Sequence, residues 1–241
     1  MKEKYKTPLV TVYITNHNYQ EYIEKAILSV LNQTLKIFEL IIIDDGSVDE
    51  SRKIIDKYDH LANVTSIYQE NKGLNISNNI ALRLSRGKYI IRLDADDYFD
   101  ENTLQIMSDI LENNNDIGLV FPDYYLVDKF GKVLEIVHRH DFSNVKMLDQ
   151  PAHGAGTMIR TKSLKTLGGY DEEFQCQDGY ELWIRFIQNY KVKNVNLPLF
   201  YYRQHDSNLT RDETKILKTR ARILEKTVGN IKKKRRALII I

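Results

Sequence analysis

The sequence predicts an α/β fold, a mainly parallel, Rossmann-like sheet flanked by helices, with a smaller and more mixed second half. Three observations predict it. Apolar runs of strand length alternate with helical spacings from residue 9 to residue 94, the pattern of βαβ units. Three carboxylates, Asp94, Asp96 and Asp97, follow the apolar run Tyr89-Ile90-Ile91, so they emerge together at the carboxyl end of a buried strand. Beyond residue 117 the alternation gives way to hairpin-like strands.

Taken in order, Leu9 to Ile14 predicts a first buried strand ending at Thr15-Asn16-His17-Asn18. Tyr22, Ile23, Ala26, Ile27, Val30 and Leu31 then recur at the i, i+3/i+4 spacing of one helix face. Phe38 to Ile43 is the second strand, closed by Asp44-Asp45-Gly46-Ser47, after which Asp49 can cap a helix that turns Ile54, Ile55 and Tyr58 inward. Val64 to Tyr68 is a short third strand. A polar turn, Gln69 to Gly73, leads to a helix carrying Ile76, Ile80, Ala81 and Leu84, which Gly87 ends.

A helix from near Asn102 presents Leu104, Met107, Ile110 and Leu111. Ile117 to Phe121 is a strand, and Tyr124 to Val127 with Val133 to Val137 form a hairpin around Lys129-Phe130-Gly131. Small residues in His153-Gly154-Ala155-Gly156-Thr157, ahead of the strand-like Met158 to Arg160, let backbone approach a ligand or another strand. A helix starting at Asp178 carries Leu182, Trp183, Phe186, Ile187 and Tyr190, and that stripe is core packing. Val192 to Tyr202 gives one or two strands broken by Pro198, and Arg203 to Asn208 is polar. A final helix from Asp212 to about Gly229 places Ile216, Leu217, Ile223, Leu224 and Val228 on a stripe.

The chain has 241 residues, 42% of them hydrophobic, enough for a substantial core. No stretch approaches the roughly 18 consecutive apolar residues of a membrane span, and Met1-Lys2-Glu3-Lys4 lacks an apolar signal segment, which predicts a cytoplasmic protein. One cysteine, Cys176, excludes an internal disulfide and a cysteine-based metal site, and reads as packing. Net charge is +2, and Lys232 to Arg236 supplies five positive charges, so the rest of the chain is net negative. Nucleic acid is therefore not an expected partner.

Three anions as close as Asp94, Asp96 and Asp97 repel one another. A chain accepts this most readily around a divalent cation or a polyol, and oxygen ligands suit magnesium or manganese holding a phosphate. An isolated cluster of this kind also suits a solvated turn capping the next helix. His138-Arg139-His140 lacks a third ligand and reads as a polar loop. A metal-dependent nucleotidyltransferase would need a Gly-rich, basic loop after the first strand, and Thr15 to Tyr19 has neither glycine nor cation. A non-catalytic sugar-binding domain would lose the Asp94, Asp96 and Asp178 set, and all three are present. The absence of GxGxxG excludes a dehydrogenase.

Thr11 to Asn18 with Glu21, Ser29 to Thr34 and Phe38 to Ser47 resembles the opening of the family 2 glycosyltransferases, which have the GT-A fold. The resemblance continues through Asn71-Lys72-Gly73, Gly87 to Asp97, Gly168 to Asp171, Asp178 with Glu181-Leu182-Trp183, and Tyr202-Arg203 with His205, and so spans roughly residues 8 to 210. It implies inverting transfer of a sugar from a nucleotide-diphosphate donor, foremost a UDP-sugar, to a hydroxyl of a glycan or glycolipid acceptor. It also implies a divalent metal, Mn2+ or Mg2+. Thr15 and Asp45 resemble residues that hold the nucleoside base, with Asp44 and Asn18 beside them. Asp94 and Asp96 resemble the DxD pair near ribose and metal, Asp97 is a further metal ligand, and Asp178 stands in the place of the general base, which alone reads as a plain helix cap. Arg203 resembles a contact to the diphosphate and His205 a metal ligand. Where the family often has Arg-Asn, this chain has Asn78-Asn79, which leaves Lys72 to supply the positive donor contact. Asp178-Gly179 replaces a frequent Glu-Asp, which leaves Glu181 as the reserve base.

These readings divide the chain into a nucleotide-sugar-binding half (1–98), an acceptor-binding and catalytic half (99–210) and a C-terminal helix with a tail (211–241). The tail, Lys232 to Arg236 followed by Ala237 to Ile241, has the composition of an opening strand of a further α/β domain. Two alternatives stay open: peripheral contact with the inner face of a membrane, and strand pairing with a second subunit.

Overall fold

The computed structural model of the chain describes residues 7–139, 154–174, 176–205 and 213–239. The elements are β1 (Val10–Asn16), α1 (Ile23–Leu31), β2 (Phe38–Asp45), α2 (Ser51–Asp56), β3 (Val64–Gln69), α3 (Leu74–Leu84), β4 (Tyr89–Asp94), β5 (Tyr98–Phe99), α4 (Thr103–Asn113), β6 (Ile117–Val127), β7 (Val133–Val137), β8 (Met158–Arg160), α5 (Thr161–Thr166), α6 (Asp178–Ile187), β9 (Lys191–Arg203) and α7 (Glu213–Ile239).

Side chains of successive strand residues point to opposite faces, and here both faces are buried, which is why the strands read as continuous apolar runs. Val12, Ile14, Leu40, Ile42 and Ile91 pack with Ile23, Ala26, Ile27 and Val30 of α1 and with Leu104 and Met107 of α4. Tyr13, Ile41, Ile43 and Ile90 pack on the other face with Ala81 and Leu82 of α3 and with Leu182, Trp183 and Phe186 of α6. Each such aliphatic contributes about 1.5–3 kcal/mol by burial. Trp183 is core, as its spacing predicts.

Strands β3, β2, β1 and β4 lie side by side in that order, all parallel. The register sets Asn16 beside Asp44, Thr15 beside Asp94 and Asp45 beside Gln69, so the carboxyl ends of the strands form one rim. The same sheet continues through β8, which is antiparallel to both β4 and β6, then through β9, parallel to β6, and β5, antiparallel to β9, with β7 paired antiparallel on β6. Among the described residues both halves of the chain share this nine-stranded sheet.

Several elements differ from the sequence reading. Ile117–Val127 is one strand rather than a strand plus a hairpin arm, and β9 runs through Pro198. The ladder shifts register at Phe121/Asp123, where Pro122 has no N–H to give, and a bulge absorbs it. β5 and α5, two and six residues long, are too short for periodicity to reveal. The buried face of α3 is polar, with Asn75, Ser77, Asn78 and Asn79 inward beside Ala81 and Leu82, while Leu84 is exposed. On α7, Leu217 is exposed. That helix does not stop at Gly229 but continues to Ile239, so Ala237 to Ile239 is helical and not a strand. Lys and Arg are good helix formers, and nothing within 4 Å surrounds the missing side chain of Gly229. Gln175, His140, His153, Asp206 to Asn208, Asp212, Ile240 and Ile241 lie outside the described residues.

Candidate active site

At the rim, Thr15 Oγ1 donates to Asp94 Oδ1 at 3.3 Å. Asn16 Nδ2 donates to Asp44 Oδ1 and to Ser47 Oγ, both at 3.0 Å, and the Ser47 hydroxyl also reaches Asp44. Asn18, with a left-handed φ of 60°, donates its backbone N–H to Ser47 Oγ and accepts the Val48 N–H on Oδ1. Asp45 holds the opposite turn: it accepts Gln69 Nε2 at 2.6 Å and the backbone N–H groups of Lys72 and Gly73 at 2.8 Å each. Gly46 lets these turns touch, because a Cβ on it would stand 2.6 Å from Asn71 N. Lys72 is exposed. The predicted nucleoside residues Thr15, Asn18, Asp44 and Asp45 thus gather at the carboxyl-end rim of β1 and β2, and Asp44 and Asp45 also brace its turns.

Asp94, Asp96 and Asp97 wrap a tight turn in which the Asp97 N–H reaches Asp94 O at 3.0 Å. Burial pushes the Asp94 carboxyl up to about 6, against the pull of Arg92. Burial, with Asp96 and Asp94 nearby, pushes Asp97 well above the carboxylate range, and its Oδ2 is buried with no hydrogen-bond partner. His205 Nε2 lies 2.9 Å from Asp96 Oδ2, its ring stacked on Tyr22 at 5.2 Å and edge-on to Tyr19 at 5.7 Å. Arg203 is turned inward: its backbone N–H binds Asp97 Oδ1 at 2.8 Å, and its side chain donates to the carbonyls of Asp96 at 2.7 Å and Lys129 at 2.9 Å. In this arrangement it clamps the acidic turn to the β6–β7 turn.

No three acid, histidine or cysteine side chains among the described residues form a ready-made metal cage. Asp96, His205 and the orphaned Asp97 oxygen nevertheless offer adjacent hard and borderline donors. Magnesium is usually held by one or two carboxylates with substrate phosphate completing the shell, and the residues fit a cation of that kind.

Asp178 begins α6 and is buried against Arg92, whose Nη1 donates to Asp178 Oδ2. The guanidinium also meets Asp94, with Nε 2.9 Å from Oδ1. Glu181, the reserve base in the sequence reading, is corrected to a structural role: its carboxylate grips Arg185, which also donates to the carbonyls of Leu167 and Gly169 at 2.8 Å. Asn79 binds Tyr170 O, Glu172 and the Tyr170 N–H, and Asn75 binds the carbonyls of Asp171 and Phe174. The inward asparagines of α3 therefore pin the loop that leads to Asp178, which accounts for their polar buried face.

Residues 11–168 match the family model Glycosyl transferase family 2. The chain belongs to that family. An uncharacterized glycosyltransferase of Methanocaldococcus jannaschii is 34% identical over 216 residues, which cover 85% of this chain and 74% of that protein. The Escherichia coli protein named UDP-Glc:alpha-D-GlcNAc-diphosphoundecaprenol beta-1,3-glucosyltransferase WfgD is 26% identical over 226 residues, 92% of this chain and 87% of that protein. The mannosyltransferase PcManGT from Pyrobaculum calidifontis, solved in complex with GDP-Man and Mn2+, superposes with a TM-score of 0.71 at 15% identity, covering 93% of this chain and 65% of that one. At that identity the likeness concerns the fold, a GT-A-like curled α/β sheet.

In this family 2 glycosyltransferase the sequence reading misses Arg92, Asn16, Ser47, Tyr19 and Tyr22. A signal for Arg92 exists: a cation inside an otherwise apolar strand must be paired, and acids follow two residues later. The asparagine, serine and tyrosines carry no comparable mark. His138, read as loop, places Nδ1 2.8 Å from the buried Asp123, away from the acidic turn. No helix among the described residues is long and apolar enough to cross a membrane.

Proposed function

We propose that the chain transfers a sugar from a nucleotide-diphosphate sugar to an acceptor hydroxyl with inversion at the anomeric carbon, in the synthesis of a polysaccharide or glycoconjugate. The observation that carries the reading is the placement of Asp178 and the Asp94–Asp97 turn on either side of one buried guanidinium. Thr15, Asn18, Asp44 and Asp45 shape the nucleoside end of the cleft, and Lys72 lies at its edge. Asp94 faces the ribose side. Mn2+ or Mg2+, held by Asp96, Asp97 and His205, would supply Lewis-acid stabilisation of the diphosphate leaving group.

The residues of the chain carry the proton. As the acceptor oxygen forms its bond to the anomeric carbon, the bond from that carbon to the diphosphate oxygen breaks on the opposite face. Asp178 Oδ1 takes the hydroxyl proton, a general-base contribution on the order of 10²–10⁴ in rate. Arg203 supports the acidic turn from behind while His205 is held between Tyr19 and Tyr22. Relatives named for UDP-Glc and structures holding GDP-Man support a nucleotide-sugar donor, with a UDP-sugar the finer reading. The same relative, named for a diphosphoundecaprenol-linked acceptor, supports a glycolipid acceptor, reached from the cytoplasmic side of a membrane.

Thermal unfolding with UDP-glucose, UDP-N-acetylglucosamine and GDP-mannose, each with Mn2+ or with excess chelator, tests the donor and metal reading. One nucleotide sugar raises Tm only when the cation is present. Equal stabilisation in chelator would contradict it. NMR of the product anomer tests inversion, and a retained configuration would exclude it.

A further inference from the structure

Arg92 is 5% exposed and lies between two acids from different halves of the chain. Its Nη1 donates to Asp178 Oδ2 and its Nη2 to Asp94 Oδ2 at 3.4 Å, while Nε lies 2.9 Å from Asp94 Oδ1 as an ion-pair contact without a hydrogen bond among the described residues. Beneath it, Tyr13 and Tyr170 share a hydroxyl contact of 3.1 Å, and burial pushes both phenols up, so they remain neutral. Asp94 and Asp178 are thus the groups that balance the buried cation. Gly154 closes the other side. A Cβ built on it would fall 2.8 Å from Arg92 Nη2 and 2.8 Å from Asp178 Oδ2, so backbone is seated directly on the ion pair.

From this geometry we infer that Arg92 is a positioning residue that, with Gly154 as its backstop, fixes the Asp178 carboxylate against the donor-side Asp94. By holding Oδ2, the guanidinium leaves the other oxygen of the Asp178 carboxylate for the proposed proton transfer. Its fork geometry matters as well as its charge, because separate nitrogens serve the two acids. The inference rests on the proposed role of Asp178 as base.

Two variants act on the bridge by different routes. Arg92→Lys keeps the buried charge but loses the fork; Gly154→Ala keeps every charge and wedges a methyl against the pair. With the donor that raises Tm, and p-nitrophenyl glycosides or a lipid-linked sugar as acceptor, each variant loses roughly tenfold or more in kcat. Calorimetry with UDP and Mn2+ on Gly154→Ala finds an affinity within about threefold of the parent, which separates misplacement of the base from damage to the donor site. In an Asp178→Asn background neither change slows turnover more than about twofold further, because residues acting as a unit are not additive. Losses that multiply in that background, or parental kcat in Gly154→Ala, would overturn the inference. If Arg92→Lys does not fold, Gly154→Ala decides alone. Parental activity in Asp178→Asn itself would instead remove the base assignment on which the bridge depends.

Discussion

Asp178 and Glu181 stand three residues apart on α6, and only their partners tell them apart. Asp178 meets a guanidinium that also touches Asp94, while Glu181 is locked to Arg185, whose other donors hold Leu167 and Gly169. Glu181→Gln should therefore leave kcat within about twofold and lower stability by about 1–3 kcal/mol, since it strips a half-buried Arg185 of its counter-charge. Kinetics and urea unfolding check the two halves of that expectation; a large kcat loss with unchanged stability would return the base role to Glu181. The acids of the site were legible in the sequence because strand ends and family spacing mark them. Gly154 was legible only as one of a run of small residues that lets backbone approach closely, and Arg92 was given no role, because they stand 24 and 86 residues from Asp178 in sequence, and a contact at that separation leaves no periodic trace.

At the scale of elements, α7 grips the loop that precedes Asp178 and the first turns of α6. Ile223 is buried with Phe174, Tyr180 and Ile184, and Arg220 Nε donates to Gln177 Oε1 at 2.7 Å, immediately before Asp178. Ile223→Ala should cost about 2–4 kcal/mol in urea unfolding, the range for a buried aliphatic truncation. Lys226 bridges Asp171 and Glu173 on the same loop. Burial pushes the Asp171 carboxyl up, but the Lys226 ammonium and the Glu173 N–H outweigh it and hold Asp171 below its ordinary value of 3.8. A depressed carboxyl contributes stability that is present above its unfolded pKa and lost as pH falls through the folded one. The Tm gap between parent and Lys226→Met should accordingly be present at pH 7 and close as pH drops below 3.8; a gap that widens in acid would contradict the bridge. Long amphipathic elements such as α1, α4 and α6 were legible from their apolar spacing. The inward face of α3 was not, because its asparagines are buried by hydrogen bonds to the loop at 170–174 rather than by apolar contact.

At the scale of the molecule, one sheet carries both the carboxyl-end rim of β1, β2 and β4 and the β8, β6 and β9 ladder, and α6, which Asp178 begins, packs on one face of that sheet. Strand and helix alternation made the parallel part of that sheet legible up to residue 94. The mixed continuation depends on β8 inserting between β4 and β6, a long-range pairing of a three-residue strand that local sequence does not announce. We propose that Asp178, held by Arg92, is the base for sugar transfer to a hydroxyl. Steady-state kinetics of Asp178→Asn, with affinity for UDP and Mn2+ measured beside it, test this role. Turnover should fall by at least about 10² in kcat with nucleotide affinity within about threefold of the parent; near-parental turnover would contradict it.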